Sequence, residues 1–205
     1  PAAEPYHEVI TKWQRDFQYM IGKNNAKYFD KNGWLYFTKE FFDLLYPSYG
    51  DTYPTYLGAI GMTYEQAGGG VAGLGILNSE GKNLTLVDRV KHNTVAGIST
   101  IEISSANSKK LNEEFNKFFI NNNNVNYIVS GDSDKIYQLS EFLGKHKIDF
   151  YSPKVQKLRA FSYNENKSVS YRTSPGDLVI PNNQAKGKLV DVLFERNTKL
   201  SDSIT

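Results

Sequence analysis

The sequence predicts an α/β protein, and three observations carry that expectation. Apolar residues recur at helical spacing from Val9 to Met20 and again from Val87 to Phe118. A short strand, an amphipathic helix and a second strand follow one another between Tyr127 and Tyr151. Between the helical stretches lies a mostly apolar run, Ala59 to Glu65, of a length suited to a buried strand.

In chain order, Val9, Trp13, Phe17 and Met20 fall on one face, with Tyr6 and Ile10 nearby. They predict a helix from Pro5 to about Gly22, ended by Gly22 and the polar run Lys23-Asn24-Asn25. Thr38 is placed to cap a second helix, Lys39 to Tyr46, stopped by Pro47. Pro47 to Gly58 is a loop rich in Pro, Ser, Gly and Thr, with Tyr46, Tyr49, Tyr53 and Tyr56 offering stacking surface and hydroxyls. After the 59–65 run, Gln66-Ala67-Gly68-Gly69-Gly70 reads as a tight turn or flexible loop.

Thr85 with Asp88 resembles a capping box, with Asp in place of the usual Glu or Gln. Helical spacing then persists to about Phe119, with a kink expected in the small-residue stretch Ser99 to Ser108. The four consecutive Asn residues 121–124 mark a boundary, which divides the chain into 1–122 and 123–205. In the second part, Tyr127-Ile128-Val129 reads as a strand, Gly131-Asp132-Ser133 as a turn and cap, and Ile136 to Leu143 as a helix. Ile148 to Tyr151 reads as a second strand. This βαβ pattern predicts a parallel pair. Extended segments at Val169–Tyr171 and Leu178–Ile180 flank a Pro175-Gly176 turn, and a helix runs from about Gln184 to Phe194.

Composition narrows the function. The net charge of +2 is small, and the Arg residues (15, 89, 159, 172 and 196) are scattered, so no basic stripe for nucleic acid stands out. There is no cysteine, which excludes disulfides, thiolate metal sites and Cys nucleophiles. No apolar run approaches the ~20 residues of a membrane span. Neither terminus has the marks of a native start or a signal peptide, and both read as cuts within a longer protein.

The chemistry-bearing residues are few. His7, His92 and His146 lie far apart, with no partner at zinc-ligand spacing. No Gly-x-Ser-x-Gly elbow and no phosphate-binding glycine motif occurs. Asp132 or Ser133 is expected to cap a helix rather than bind phosphate. Glu65 stands out as an acid at the end of an apolar run, before a Gly-rich turn. Burial there would raise its pKa toward a range useful for proton transfer, and a partnered structural Glu fits the pattern equally well. Glu102, flanked by Ile101 and Ile103, reads as structural, bonding a helix end or loop.

The segments Tyr46-Pro47-Ser48-Tyr49-Gly50-Asp51-Thr52-Tyr53-Pro54 and Gly58 through Gln66 closely resemble the M14 zinc carboxypeptidases, especially the large bacterial branch. So do Tyr28 to Trp34, Leu84 to Arg89, Ser99 to Glu102, Pro175 to Pro181, and Leu193 onward. The resemblance implies a carboxypeptidase-type mixed sheet with helices in 1–122. It implies an α/β accessory region in 123–205, similar to class I glutamine amidotransferase-like or flavodoxin-like folds, and without the Cys of amidotransferase chemistry. By resemblance Glu65 is the catalytic general base and acid, and Tyr46 is the mobile tyrosine that closes over the peptide's C-terminal residue. Tyr49 is the second choice for that role, and Tyr53 and Met62 line the specificity pocket. The cofactor implied is zinc, whose ligands, with the carboxylate-binding Arg, would lie upstream of Pro1. The resemblance thus implies a secreted or periplasmic peptidase acting on a peptide substrate. This chain alone would then be inactive, and would self-associate or rearrange where apolar faces lack partners. Two other readings remain. One is a non-catalytic peptide- or glycan-binding module using the tyrosine loop 46–56; the other is a glycosidase pairing Glu65 with Asp51 or Asp43.

Overall fold

The computed structural model describes residues 2–38, 43–65, 73–78, 81–120 and 124–200. It is a mixed α/β structure. Among the described residues there are six helices and three two-stranded antiparallel sheets. The chain divides into two compact units between Lys117 and Phe118, and Leu200 returns to the first unit by an antiparallel bridge to His7.

The first unit is organised by α1 (Lys12–Asn32). Thr11 caps it in a complete capping box with Gln14, and Gly33 ends it in the left-handed conformation at φ 66°, which favours glycine. The helix runs about ten residues beyond the predicted end. The polar run that was expected to stop it stays helical, because its buried Asn24 donates to the Ser99 carbonyl (3.0 Å), to Ser99 Oγ (2.9 Å) and to Glu102 Oε2 (2.9 Å). The buried face is therefore half polar, with Gln14, Gln18 and Asn24 beside Phe17 and Ile21.

Residues 39–42 of the predicted second helix lie outside the described residues. Asp43 to Tyr46 are not helical, and Asp43 forms a parallel bridge with Ala3. The predicted strand at 59–65 is also absent; the segment is irregular, and its groups are bound by side chains of α1 and by α2 (Thr52–Thr55) rather than by a ladder. The 66–70 turn lies outside the described residues. Next comes the hairpin of β1 (Gly75–Leu77) and β2 (Asn83–Thr85). The Thr85–Asp88 capping box forms as expected and opens α3 (Leu86–Ala106). The small-residue stretch interrupts the helix at Asn107, and α4 (Ser108–Phe118) continues.

The second unit departs from the predicted parallel pair. β3 (Asn126–Val129) is followed by α5 (Ser133–Lys145), capped by Asp132 on the Asp134 N–H. β3 pairs antiparallel with β6 (Leu178–Pro181), and Tyr151 bonds the other edge of β6 at Val179. β3 and the Tyr151 segment thus run in the same direction, as the βαβ reading requires, but with β6 between them. Buried Leu178, Val179 and Ile180 make β6 the apolar centre of this unit, joined by Leu143, Ile148, Leu189 and Val190. β4 (Lys157–Ser162) and β5 (Lys167–Arg172) form a separate hairpin, turned at Asn166 with φ 54°. Only its second strand was legible in the sequence. α6 (Gly187–Phe194) closes the unit.

Glu102 also receives the Tyr28 hydroxyl at 2.9 Å, so α1 and α3 share one carboxylate. These bonds, from Asn24 first and Tyr28 second, hold the Glu102 carboxyl below its ordinary value, and the same carboxylate pushes the Tyr28 phenol up. A lowered carboxyl contributes stability above its ordinary value of 4.5, lost as pH falls through the folded value. A raised phenol contributes below its ordinary value of 10.0 and is lost as pH rises through the folded one. Thermal melting should therefore fall on both flanks, and Tyr28→Phe should flatten the alkaline flank and shrink the acid one. Identical pH profiles for the two proteins would refute the link.

Candidate functional site

The tyrosine loop and the 59–65 segment are held against α1 by side-chain amides. Gln14 is buried and oriented by its capping box, in which Oε1 accepts from the Thr11 N–H at 2.9 Å. Its Nε2 donates to the carbonyls of Thr55 (2.8 Å) and Ala59 (2.9 Å). One turn on, buried Gln18 donates to the Gly61 carbonyl at 2.8 Å. A carbonyl withdrawn from water without a donor would cost about 1–3 kcal/mol, so the two amides make burial of this irregular backbone tolerable.

Inside the clamp the backbone crosses itself closely. Thr55 Oγ1 donates to the Asp51 carbonyl (2.8 Å) and accepts the Gly61 N–H (3.1 Å). A Cβ on Gly61 would lie 1.8 Å from the Asp51 carbonyl oxygen, so no other residue fits there without displacing backbone. Asp51 adds a latch at the surface, its Oδ2 accepting from Thr63 Oγ1 at 2.7 Å. The tyrosine loop and the 59–65 segment are thus bonded to each other as well as to α1.

The sequence-predicted residues fall on this platform as follows. Tyr46 and Tyr49 are exposed, 60% and 53%, with ring centroids 5.6 Å apart. Buried Tyr56 anchors the loop from below: its hydroxyl donates to the Leu45 carbonyl at 2.7 Å and its ring meets His7 edge-on. Tyr53 and Met62 are half-buried. Glu65 is exposed rather than buried at the end of a strand. Its neighbour Tyr64 is fixed, with its hydroxyl 2.6 Å from Thr100 Oγ1 on α3. Because Thr100 donates to the Ala96 carbonyl (2.8 Å), Tyr64 is the donor in that contact. The last described residue of the segment therefore follows directly on a tether to α3.

Other candidates are committed to structure. Asp43 accepts from the Leu45 N–H at 2.8 Å, and Asp51 holds its latch to Thr63. Glu102 bonds the Asn24 and Tyr28 side chains within α1, rather than a helix end or loop. The Gln14, Gln18 and Thr63 contributions were not read from the sequence. Glutamines spaced four apart on a helix look like solvent-facing residues unless the backbone they serve is known.

A zinc site does not fit the described residues. No group of three His, Cys, Asp or Glu side chains comes together among them. Buried His7 accepts the Val9 N–H on Nδ1. His92 lies 4.2 Å from the Trp34 ring, and desolvation there pushes its imidazole below the ordinary value. His146 packs on Phe142. No described helix is long and apolar enough to cross a membrane. Comparisons with protein-family models, with curated proteins and with solved structures found no match to this chain.

The close crossing at Gly61 yields a direct expectation. Gly61→Ala should lower stability by about 1–3 kcal/mol or more, the range of an overpacked core, with the loss read from denaturant unfolding. A loss below about 0.5 kcal/mol would show that the crossing relaxes freely.

Proposed function

We propose that this chain is part of a zinc-dependent metallocarboxypeptidase that hydrolyses the C-terminal amide bond of a peptide. The observation that supports this most is the Gln14–Gln18–Asp51 framework. It binds the loop carrying Tyr46 and Tyr49 to the segment ending at Glu65, the two stretches that resemble the M14 family. In this reading Glu65 takes a proton from the attacking water as oxygen bonds to the scissile carbonyl carbon. It returns that proton to the leaving amine as the C–N bond breaks. Tyr46, with Tyr49 as the second candidate, closes over the C-terminal residue, and Tyr53 and Met62 line its side-chain pocket. The exposure of Glu65 and of the tyrosine pair leaves these groups accessible to such a substrate.

Zinc belongs to the longer protein in this proposal, because the described residues of this chain offer no ligand set. In this reading the chain alone is inactive, and the whole protein is secreted or periplasmic, as the resemblance implies. The second reading, a non-catalytic peptide- or glycan-binding module, is favoured by one observation, the paired exposed rings of Tyr46 and Tyr49. Glu65→Gln in the longer protein separates the two. It should lower kcat by at least a hundredfold and spare peptide binding if Glu65 carries protons. Unchanged turnover would remove Glu65 from the proton-carrying role, and no turnover in either form with binding intact favours the module.

Self-association is part of the same proposal. Val87, Val90, Ile98 and Ile101 form an exposed stripe at helical spacing along α3, and a second copy of the chain would cover it. Light scattering should show dimers or larger species, and Ile98→Lys should reduce them. A monodisperse monomer with a cooperative melt would remove this part of the proposal.

A further inference from the structure

We propose that the outer edge of β4 binds an acidic peptide in extended conformation. The pairing register of the β4–β5 hairpin gathers charges that the sequence leaves scattered. On one face stand Lys157, Arg159 and Phe161 of β4 opposite Arg172, Ser170 and Ser168 of β5. All six are exposed, and none is acidic. The opposite face carries half-buried Leu158, Ala160, Val169 and Tyr171, so the basic face is the solvent face of the hairpin. Arg196 extends it, its guanidinium 5.3 Å from the Phe161 ring centroid.

Lys157 and Arg172 are direct cross-strand partners. Like charges in that position destabilise a hairpin, and no described carboxylate forms an ion pair with Lys157, Arg159, Arg172 or Arg196. The one ion pair at the hairpin, Lys167 with Glu165, belongs to its turn. An anionic ligand would relieve the repulsion.

Backbone geometry selects a peptide among anions. Thr173 N–H donates to the Gln156 carbonyl at 2.9 Å, which sets the alternation of hydrogen bonding along the pair. By the period of two, Leu158, Ala160 and Ser162 turn their backbone groups toward β5, and Lys157, Arg159 and Phe161 turn theirs outward. No other described strand pairs with that edge. The residues with open N–H and C=O groups are therefore the ones whose side chains make the basic row. A strand added there would align its alternate side chains with Lys157, Arg159 and Phe161, at about 6.6–6.8 Å intervals. The matching ligand carries acids at two alternate positions and an apolar residue at the next. A nucleic acid would use the cations and leave the open backbone edge unmet.

The test uses the full chain and a fluorescent, end-blocked nonapeptide with Glu at two alternate positions and Val at the next, followed by anisotropy. The peptide should bind at least tenfold more tightly than an isomer with adjacent Glu residues, and N-methylation of alternate amides should abolish binding. Arg159→Glu should weaken binding at least tenfold with an unchanged circular dichroism spectrum, and Lys157→Glu serves if that variant fails to fold. Equal affinity for the isomer would overturn the proposal, as would unimpaired binding after N-methylation. A ten-nucleotide thymidine strand that binds as tightly as the peptide would mark the face as a general polyanion surface and overturn it too. Absence of peptide binding at about 1 mM would also do so.

Discussion

The first unit depends on two side-chain amides. Gln14 and Gln18 supply the donors that let an irregular stretch of backbone, Thr55 to Gly61, lie against a helix without a sheet to pair with. An apolar side chain at either position would pack against the same backbone and leave its carbonyls unpaired. The penalty for each orphaned carbonyl is comparable to a sizeable share of a domain's net stability. The capping box of α1 supports the arrangement, because the bond that caps the helix also fixes the orientation of the Gln14 amide. Helix start, amide geometry and loop conformation are thus one coupled structure.

What could be read from the sequence follows from how local each interaction is. The Thr85 capping box, the break near Asn107 and the Asp132 cap all involve neighbours within a few residues, and all are where the pattern placed them. The end of α1 is not legible in the sequence because Asn24 satisfies its amide on α3, far along the chain, and a polar run looks like a terminator until that partner is known. The 59–65 stretch is not legible for the converse reason. Its apolar character predicts a buried strand, whereas Gly61 enters the interior through a side-chain donor, Gln18, and a side-chain acceptor, Thr55.

The same limit applies to the candidate site. Glu65 and the tyrosines were singled out by residue type and by resemblance, and the framework beneath them was not, since its members are ordinary polar residues on different elements. Asp51 reads in the sequence as a possible acid partner for Glu65 and as one residue of a resembling segment, and in the structure its carboxylate accepts from Thr63. In the second unit, Lys157, Arg159 and Arg172 looked scattered because strand register, not sequence distance, brings them onto one face.

The position of β6 has a consequence for how the second unit is made. β3 and the Tyr151 segment leave the ribosome first, and neither can pair until β6, the strand between them, has been synthesised. In the interval the β4–β5 hairpin, whose partners are adjacent in sequence, can close by itself. The nascent unit therefore carries two unpaired strand edges for the time it takes to translate the residues from Tyr151 to Pro181. Those edges are the stretch of synthesis most exposed to pairing with another chain.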